Sequence, residues 1–291
     1  MDFSPTPVQI DAMTADPHET MIPGLDVPVS AIRDMIGAVT RDEILSRFRN
    51  LSDGQIGEKR PGEVVTEADL AAETALTLAL TDIVGDCVIV GEEGVETDPG
   101  MLKRLDDAAP VFVLDPVDGT QNFANGLDCF AVIVAYRFAG ETLAGWIHDP
   151  VSDITCWAVK GAGAHFDDGS PVTCVGNREI DALTGCFGLK ARTAMENKAD
   201  SMRPNLASRY RCVGREYFDL CAGRLDFIQF GQRLKPWDHA AGDLIVREAG
   251  FVSRMTETGG DYTPGEDGIA RGNLLIAPDE AIWQALHNLM I

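Results

Sequence analysis

Basic side chains are scarce in this chain of 291 residues, in which 24 Lys and Arg stand against 46 Asp and Glu, for a formal net charge of −22. Nucleic-acid backbones are bound mainly through clustered Lys and Arg, so we expect no nucleic-acid partner. The longest apolar run, residues 129–136, is too short to cross a bilayer, and the N-terminus lacks the basic and apolar segments of a secretory signal. These absences predict a soluble, cytoplasmic protein without a membrane partner.

Cysteine motifs are lacking too. The seven cysteines are an odd number, lie among apolar neighbours and include no Cys-x-x-Cys pair. Neither a disulfide framework nor a zinc knuckle is indicated, and we expect reduced, mostly buried thiols. What the chain does have is a globular composition, 45% hydrophobic and 24% charged, over a length typical of about two domains. A cleft between two such units offers room for an active site.

The hydrophobic pattern divides the chain into three regions. Residues 1–28 contain five prolines and predict an irregular N-terminal extension without a catalytic role. Residues 29–179 begin with helical spacing and continue with short strands, which predicts an α+β metal-binding domain. Residues 180–291 alternate strands with helices, including expected helices over 194–208 and 238–249, and predict an α/β domain that completes the site.

The chemistry is concentrated where two buried strands end in carboxylates. One strand runs into Gly91-Glu92-Glu93 and the other into Asp115-Pro116-Val117-Asp118-Gly119-Thr120. The second segment places two carboxylates three residues apart, beside backbone N–H groups that can bind an anion at a helix start. Because bare carboxylates would repel a phosphate, a hard divalent cation, Mg²⁺ or Mn²⁺ rather than Zn²⁺, is needed between them. The alternative is an Asp-rich surface turn.

The Asp-Pro-x-Asp-Gly-Thr segment resembles the signature of the inositol monophosphatase family of magnesium-dependent, lithium-sensitive phosphatases. Two further motifs of that family occur in the expected order, Gly91-Glu92-Glu93 before it and Trp237-Asp238-His239-Ala240-Ala241-Gly242 after it. The likeness extends over nearly the whole chain from about residue 30, including residues 145–150 and 161–164. It implies a layered αβαβα sandwich of the sugar-phosphatase type and, commonly, a homodimer.

The resemblance implies a site for two Mg²⁺ ions. Glu92, Asp115 and the backbone carbonyl of Val117 would hold the first ion. Asp115 would bridge to the second ion, which Asp118 and Asp238 complete, and these two aspartates would also contact the substrate. For Asp238, the alternative is a simple helix cap.

The same resemblance implies roles for the reacting groups. Thr120 would bind the attacking water, which Glu92 helps to deprotonate, and the backbone of Gly119 and Thr120 would bind the phosphate. Glu63 matches a position near a third, weaker ion, with a solvated loop acid as the alternative. Lys59 is either a counter-charge to the local acids or an exposed loop lysine, and Glu93 is expected to cap or pair outside the metal site.

Substrate choice is where the sequence departs from inositol-hydrolysing members. The acid that contacts substrate hydroxyls in those members is replaced here by Gly231. Arg215 is the candidate for binding a second anionic or polar group of the substrate, and an ion pair with Glu216 or another acid is the alternative. His239 could act as a general acid, although a structural role is the stronger expectation in the first turn of a helix.

We therefore expect Mg²⁺-dependent hydrolysis of a small phosphate monoester by direct attack of water, without a covalent phosphoenzyme. Histidinol phosphate, fructose 1,6-bisphosphate and a 3′-phosphoadenosine nucleotide are alternative substrates. The alternative from another class of function is a regulatory binding protein of a transcription complex. The complete set of acids and Thr120 favours an enzyme.

Overall fold

The computed structural model of the protein describes residues 16–176, 178–196 and 203–290. The helices are α1 (Val29–Val39), α2 (Glu67–Val84), α3 (Glu92–Thr97), α4 (Thr120–Ala124), α5 (Leu189–Glu196), α6 (Val213–Cys221), α7 (Pro236–Glu248) and α8 (Glu280–Met290). A π-helical turn, Thr40–Leu45, continues α1. Across the described ranges, no helix combines the length and apolarity needed to span a bilayer.

The strands form a hairpin and two sheets. They are β1 (Ile56–Arg60), β2 (Glu63–Thr66), β3 (Val88–Gly91), β4 (Val111–Asp118), β5 (Ala131–Phe138), β6 (Glu141–Asp149), β7 (Ile154–Val159), β8 (Ala164–Phe166), β9 (Pro171–Val172), β10 (Thr184–Cys186), β11 (Asn205–Leu206), β12 (Phe227–Leu234), β13 (Val252–Met255) and β14 (Ala270–Ala277). The larger sheet has the order β3-β4-β5-β6-β7-β8-β9, in which only β3 and β4 pair in parallel. The smaller sheet has the order β11-β10-β12-β14-β13, parallel up to β12 and antiparallel beyond it.

Five layers of helix and sheet stack on one another. Helices α1 and α2 cover one face of the larger sheet around Phe112 and Trp146. Helices α6 and α7 lie between the sheets, in a core that joins Val113 of β4 to Ile228 of β12. Helices α5 and α8 cover the outer face of the smaller sheet around Leu275. This arrangement confirms the αβαβα sandwich, and it explains why β4 is apolar and buried on both faces up to its carboxylates.

The helix expected over residues 194–208 is wrong. Helix α5 begins earlier, at Leu189, and ends at Glu196, whereas Asn205 and Leu206 form strand β11 beside β10. A strand of two residues is too short to show the alternation that identifies a strand in a sequence. It forms because the backbone N–H of Asn205 donates to Leu183 O at 2.8 Å, a contact made only in the folded chain. The remaining residues 197–202 lie outside the described part.

The predicted extension, residues 1–28, is described from residue 16 onward. There Ile22 and Val27 are only 1% and 8% exposed and belong to the core under α1 and α2.

The predicted boundary at residue 179 lies between β9 and β10, the last strand of one sheet and an early strand of the other. Because a single core joins the two sheets, the division into domains stays a prediction.

Candidate functional site

A β-bulge brings two carboxylates of β4 to the same face. Side chains alternate along a strand, so residues three apart normally point to opposite faces. Between Asp115 and Asp118 the pairing shifts, with Asp115 opposite Ile133 and Asp118 opposite Ala131 of β5. The extra residue turns Val117 into the core under α1 and α2 and leaves both carboxylates on one side of the sheet.

The third carboxylate comes from α7, more than a hundred residues further along the chain. The helix begins at Pro236, so Asp238 lies in its first turn, and Lys235 occupies the capping position. The interpretation of Asp238 as the helix cap is therefore wrong. Carboxylate oxygens of Asp115, Asp118 and Asp238 all lie within 4.8 Å of one another. The fold thus brings together three of the four acids expected to bind metal.

Burial and the charges of neighbouring acids raise the pKa of all three acids. Burial, followed by the charges of Glu92, Asp118 and Asp238, holds the pKa of Asp115 well above its usual range. Burial raises the pKa of Asp118 to about 6 and that of Asp238 to about 8, the latter despite the neighbouring charge of Lys235. Carboxylates this close cannot all ionise unless a cation offsets their charge.

Glu92, the fourth expected acid, lies at the edge of this group. Its charge contributes to the raised pKa of Asp115, but its carboxylate is not among the three within 4.8 Å. Glu92 Oε1 lies 3.3 Å from Lys59 Nζ and 3.8 Å from Lys235 Nζ. Lys59 also donates to Glu93 Oε1 at 2.6 Å. Lys59 is thus a buried counter-charge, and Glu93 pairs with it outside the acidic group.

Glu92 owes its place to a contact that the sequence motif does not reveal. The carboxylate of Glu73 in α2 accepts hydrogen bonds from the backbone N–H groups of Glu93 at 2.9 Å and Gly94 at 2.7 Å, at the start of α3. A Cβ at Gly91 would lie 2.3 Å from that carboxylate. Glycine therefore opens the Gly-Glu-Glu motif because Glu73 needs the space.

Asp69 and Thr120 form a pair beside the acidic group. Thr120 Oγ1 lies 2.9 Å from Asp69 Oδ1 and 3.0 Å from Val117 O. The other oxygen of Asp69 accepts the backbone N–H of Thr66 at 2.8 Å, in the capping box that starts α2. The hydroxyl proton of Thr120 has acceptors, so its oxygen is left to accept a hydrogen bond from a water. The capping box is a local pattern of residues three apart, whereas the contact of Asp69 with Thr120 joins distant residues and arises only in the fold.

Gly119 combines two requirements that exclude a side chain. Its φ is +87°, and a Cβ there would lie 2.9 Å from Cys129 O and 3.1 Å from the Cβ of Cys212. Helix α4 begins at the next residue, Thr120. The first amides of a helix have no partner within it, so an anion can bind here beside the carboxylates.

Helix α6 holds one oxygen of Asp118. Asp118 Oδ2 accepts the backbone N–H of Gly214 and the thiol of Cys212, whose sulfur lies 3.1 Å away. These donors also lower the pKa of Asp118 against the larger effect of burial. One carboxylate oxygen is thus oriented by the protein, as the supporting contacts of a metal ligand require.

Arg215 is engaged by acids in the structure. Its guanidinium forms an ion pair with Asp149 at the end of β6 and lies 3.4 Å from Asp219. Glu216, the partner considered from sequence, is instead bound by Arg209 at 2.6 Å. The substrate-binding role of Arg215 stays a prediction.

Two other sequence-predicted positions lie on solvent-accessible surfaces. Glu63 is about half-exposed on β2, with its carboxylate 4.0 Å from Arg60, and its role near a third ion stays a prediction. Gly231 lines a cavity of about 460 Å³ together with Gln229 and Asn273. A Cβ at Gly231 would lie 2.6 Å from Asn273 Oδ1 and 3.1 Å from Gln229 Nε2, so these amides occupy the space that the side chain of an acid would enter.

His239 lies in the core between the sheets. It is 3% exposed, its Nδ1 lies 3.2 Å from Tyr217 Oη, and its ring packs edge-on against Phe230. Burial, with the charges of Arg209 and Lys235, lowers the pKa of His239 to about 3. A neutral, packed imidazole fits the structural role rather than that of a general acid at neutral pH.

The donor set of the site fits a hard divalent cation. The clustered ligand atoms are carboxylate oxygens, which suit Mg²⁺ and Mn²⁺ better than Zn²⁺. Their raised pKa values show that the protein itself supplies too little positive charge for them. A cation would replace the protons that these acids otherwise take up.

Comparison with known proteins identifies the family. A model of the inositol monophosphatase family matches residues 28–290. The chain belongs to the inositol monophosphatase family. The family consists of metal-dependent phosphatases that act on small phosphorylated compounds, and the acidic group of this member could hold a metal ion.

Among the similar proteins, some are named SuhB and others are named inositol-1-monophosphatase. A Nus factor SuhB of Pasteurella multocida is 31% identical, over 92% of this chain and 96% of that protein. An inositol-1-monophosphatase of Mesorhizobium japonicum is 31% identical, over 90% and 94%. The crystal structure of the extragenic suppressor protein suhB from Bartonella henselae matches with a TM-score of 0.70 at 26% identity, over 90% of this chain and 96% of that one.

Proposed function

We propose that this protein hydrolyses a small phosphate monoester by Mg²⁺-dependent attack of water, without a covalent phosphoenzyme. The observation that carries the proposal is the convergence of Asp115, Asp118 and Asp238 within 4.8 Å, next to a helix start that can bind an anion. Acids with raised pKa values around one point have no structural benefit, because they repel one another.

The metal ligands follow from this arrangement. As the family resemblance implies, Asp115, Glu92 and the carbonyl of Val117 would hold one ion, and Asp115, Asp118 and Asp238 would hold the other. Mn²⁺ can replace Mg²⁺, and a third ion would bind near Glu63. When bound, the ions lower the pKa of water and offset the charge of the phosphate.

The remaining groups orient the reactants. Thr120 Oγ1, held by Asp69 at 2.9 Å, accepts a hydrogen bond from the attacking water and so directs a lone pair of that water at phosphorus. Glu92 receives the proton of the water, and Lys59 and Lys235 stabilise its carboxylate before that transfer. The N–H groups of Gly119 and Thr120 bind the phosphate oxygens.

The substrate is best sought with a panel of phosphate esters. Inositol 1-phosphate, histidinol phosphate, fructose 1,6-bisphosphate and 3′-phosphoadenosine 5′-phosphate would be incubated with the protein in Mg²⁺, and inorganic phosphate would be measured. We expect one ester to be hydrolysed at least about 10-fold faster than the others, and EDTA to stop the reaction. A protein that binds Mg²⁺ but releases no phosphate from any ester contradicts the proposal.

A second candidate function is regulatory binding in a transcription complex. The similarity to Nus factor SuhB proteins favours it. Asp115→Asn separates the two functions, because an enzyme loses turnover by orders of magnitude whereas a docking protein keeps its partner. Capture of RNA polymerase by wild type and by Asp115→Asn, compared with phosphate release by both, shows which function, or whether both, belong to this chain.

A further inference from the structure

The cavity of about 460 Å³ lies beside strand β12, at the point where the neighbouring strand β10 has ended. The pairing of the two strands stops with Cys186 opposite Ile228, and β12 continues beyond it. Gly231 and Gln232 of β12 line the cavity together with residues 188–191, which follow β10. The cavity therefore occupies the open side of β12 at the carboxyl end of β10.

The carboxyl end of β12 leads from this cavity to the candidate metal site. Directly after β12, Lys235 places its Nζ 3.8 Å from Glu92 Oε1, and Asp238 follows in the first turn of α7. A strand advances about 3.3 Å per residue, so Gly231 and Lys235 are at most about 13 Å apart. In α/β folds, ligands bind outside the carboxyl ends of parallel strands such as β10 and β12. One small substrate can therefore reach both the acids and the cavity.

The wall of the cavity is a network of amides. Gln229 Oε1 accepts the backbone N–H of Gly188 at 2.8 Å, and Gln229 Nε2 donates to Asn273 Oδ1 at 2.7 Å. Next to Gly231, Gln232 has a φ of +77°, which is uncommon for a residue with a side chain and typical of ligand sites when it occurs. Because the amides bind one another, recognition of a charged group is left to the other lining residues.

The charge that lines the cavity is positive, although the chain has 46 acids. None of the described residues that line it is Asp or Glu, and Lys190 and His287 are its titratable side chains. Glu257 accepts hydrogen bonds from Asn273 but does not line the cavity. Lys190 is exposed in the first turn of α5 and has no ion-pair partner within the described ranges. An unpaired ammonium group beside an acid-free cavity favours an anionic ligand.

We propose that this cavity binds a second anionic group of the substrate, a phosphate or a carboxylate, and that Lys190 recognises it. The inference rests on the proposed function, because it takes the acids as the place of hydrolysis. It names the substrate class as phosphate monoesters with a second anionic group, rather than monophosphates of neutral polyols. Arg215, the candidate for this role from the sequence, is already paired with Asp149.

The substrate class is tested with esters that differ only in the second group. Fructose 1,6-bisphosphate would be compared with fructose 1-phosphate and fructose 6-phosphate, and 2-phosphoglycerate with glycerol 2-phosphate, by phosphate release in Mg²⁺. In at least one set, kcat/KM should be about 10-fold or more higher for the doubly anionic ester, the usual effect of one hydrogen bond to a charged group. The set with the larger ratio tells whether the group is a phosphate or a carboxylate. Ratios near one in both sets overturn the proposal.

Variants of Lys190 connect that ratio to the cavity. Lys190→Met should lower the preferred ratio by about 10-fold, chiefly through KM, whereas Lys190→Arg should restore most of it because the charge is kept. Lys160→Met is the matched control, since Lys160 is an exposed lysine paired with Glu141 in the larger sheet. It should leave the ratio as in wild type. An equal ratio in Lys190→Met and Lys160→Met overturns the proposal.

Binding without turnover is a second readout. Fructose 1,6-bisphosphate and 2-phosphoglycerate would each be titrated into the protein in EDTA and followed by NMR of the backbone amides. We expect one of them to shift the signals of Gly188, Lys190 and Gln232, and Lys190→Met to need about 5-fold or more ligand than Lys160→Met for the same shift. Absence of these shifts with both ligands, or equal titration of the two variants, overturns the proposal.

The two readouts separate this inference from the proposed function. If esters are hydrolysed in Mg²⁺ without a preference for a second anionic group, only the inference about the cavity fails. If no ester is hydrolysed although the amide signals shift in EDTA, the proposed function fails. The assignment of a substrate class then fails with it, and the cavity is an anion site unconnected with hydrolysis.

Discussion

Helix α7 carries two aspartates, Asp243 buried and Asp238 partly buried, that differ in what surrounds them. Asp243 is held by Ser253 Oγ at 2.6 Å and Arg247 Nε at 2.9 Å, so its charge is matched within the protein. Asp238, at the start of the same helix, shares its space with Asp115 and Asp118. Burial raises the pKa of both aspartates. Burial alone therefore does not mark a site; the missing counter-charge does.

Glu216 is a second buried acid whose charge is matched within the protein. Its side chain is fully buried, yet both carboxylate oxygens are bound by Arg209 at 2.6 Å. It lies in α6 only a few residues from Cys212 and Gly214, which hold Asp118. Glu216, which is matched by an arginine of its own, stabilises the fold, whereas Asp115, Asp118 and Asp238 crowd together with too little positive charge and remain available for a cation.

The largest expected effect is on activity, and it distinguishes an acid of the candidate site from an acid that is paired with an arginine. Asp115→Asn should lower the rate of phosphate release at saturating Mg²⁺ by about 10³-fold, because a preorganised charge at the reacting centre is removed. Asp243→Asn should change that rate by no more than about 3-fold, since Asp243 faces Ser253 and Arg247. Equal losses of this rate in both variants would contradict the distinction between site acids and paired acids.

A smaller loss is expected where a neutral group orients the water. Thr120→Val should reduce turnover by about 10²-fold with little change in Mg²⁺ affinity, because the hydroxyl that binds the water is lost. Thr120→Ser keeps the hydroxyl and should retain most of the activity. Steady-state kinetics and calorimetry together check this, and a Thr120→Val enzyme that is as active as Thr120→Ser would remove Thr120 from the mechanism.

The free energy of unfolding in metal-free buffer should respond more strongly to Asp243→Asn than to Asp115→Asn, which reverses the order expected for activity. Asp243→Asn should lower the free energy of unfolding by about 1–3 kcal/mol, because the buried pair with Arg247 is broken. Asp115→Asn should leave it unchanged or raise it, because repulsion with Asp118 and Asp238 is relieved. Urea denaturation in EDTA measures both, and a destabilised Asp115→Asn protein would contradict the account of repulsion.

The smallest effect is a dependence on pH. Folding raises the pKa of Asp118 to about 6 and of Asp238 to about 8, so the metal-free folded state binds more protons than the unfolded chain. Its stability should therefore fall as the pH rises from 6 to 8. Mg²⁺ competes with these protons, so its stabilising effect should grow over the same range by up to about 1.4 kcal/mol per pH unit for each proton that it displaces. Thermal unfolding with and without Mg²⁺ checks this, and a gain that is larger at pH 6 would contradict it.

The site was more predictable than the contacts that support it. Asp115, Asp118 and Asp238 lie in motifs with a characteristic order, and the structure brings them within 4.8 Å. Glu73 and Cys212 lie in no motif singled out for this role, although they hold Glu92 and Asp118 through backbone and thiol contacts. A hydrogen bond to another segment leaves no periodic pattern in the sequence, so it could not be predicted.

By itself, the sequence determined the succession of most helices and strands, the capping box of α2 and the chemical type of the site, because these follow from local periodicity, capping residues and short motifs. The layered fold followed from the resemblance of those motifs to a known family. Only the tertiary structure decided that a bulge turns Asp115 and Asp118 to one side, that Asp69 meets Thr120, and that residues 205–206 are a strand. The physical reason is that these features arise between segments far apart in the chain. Their free energy comes from packing and pairing that exist only after folding.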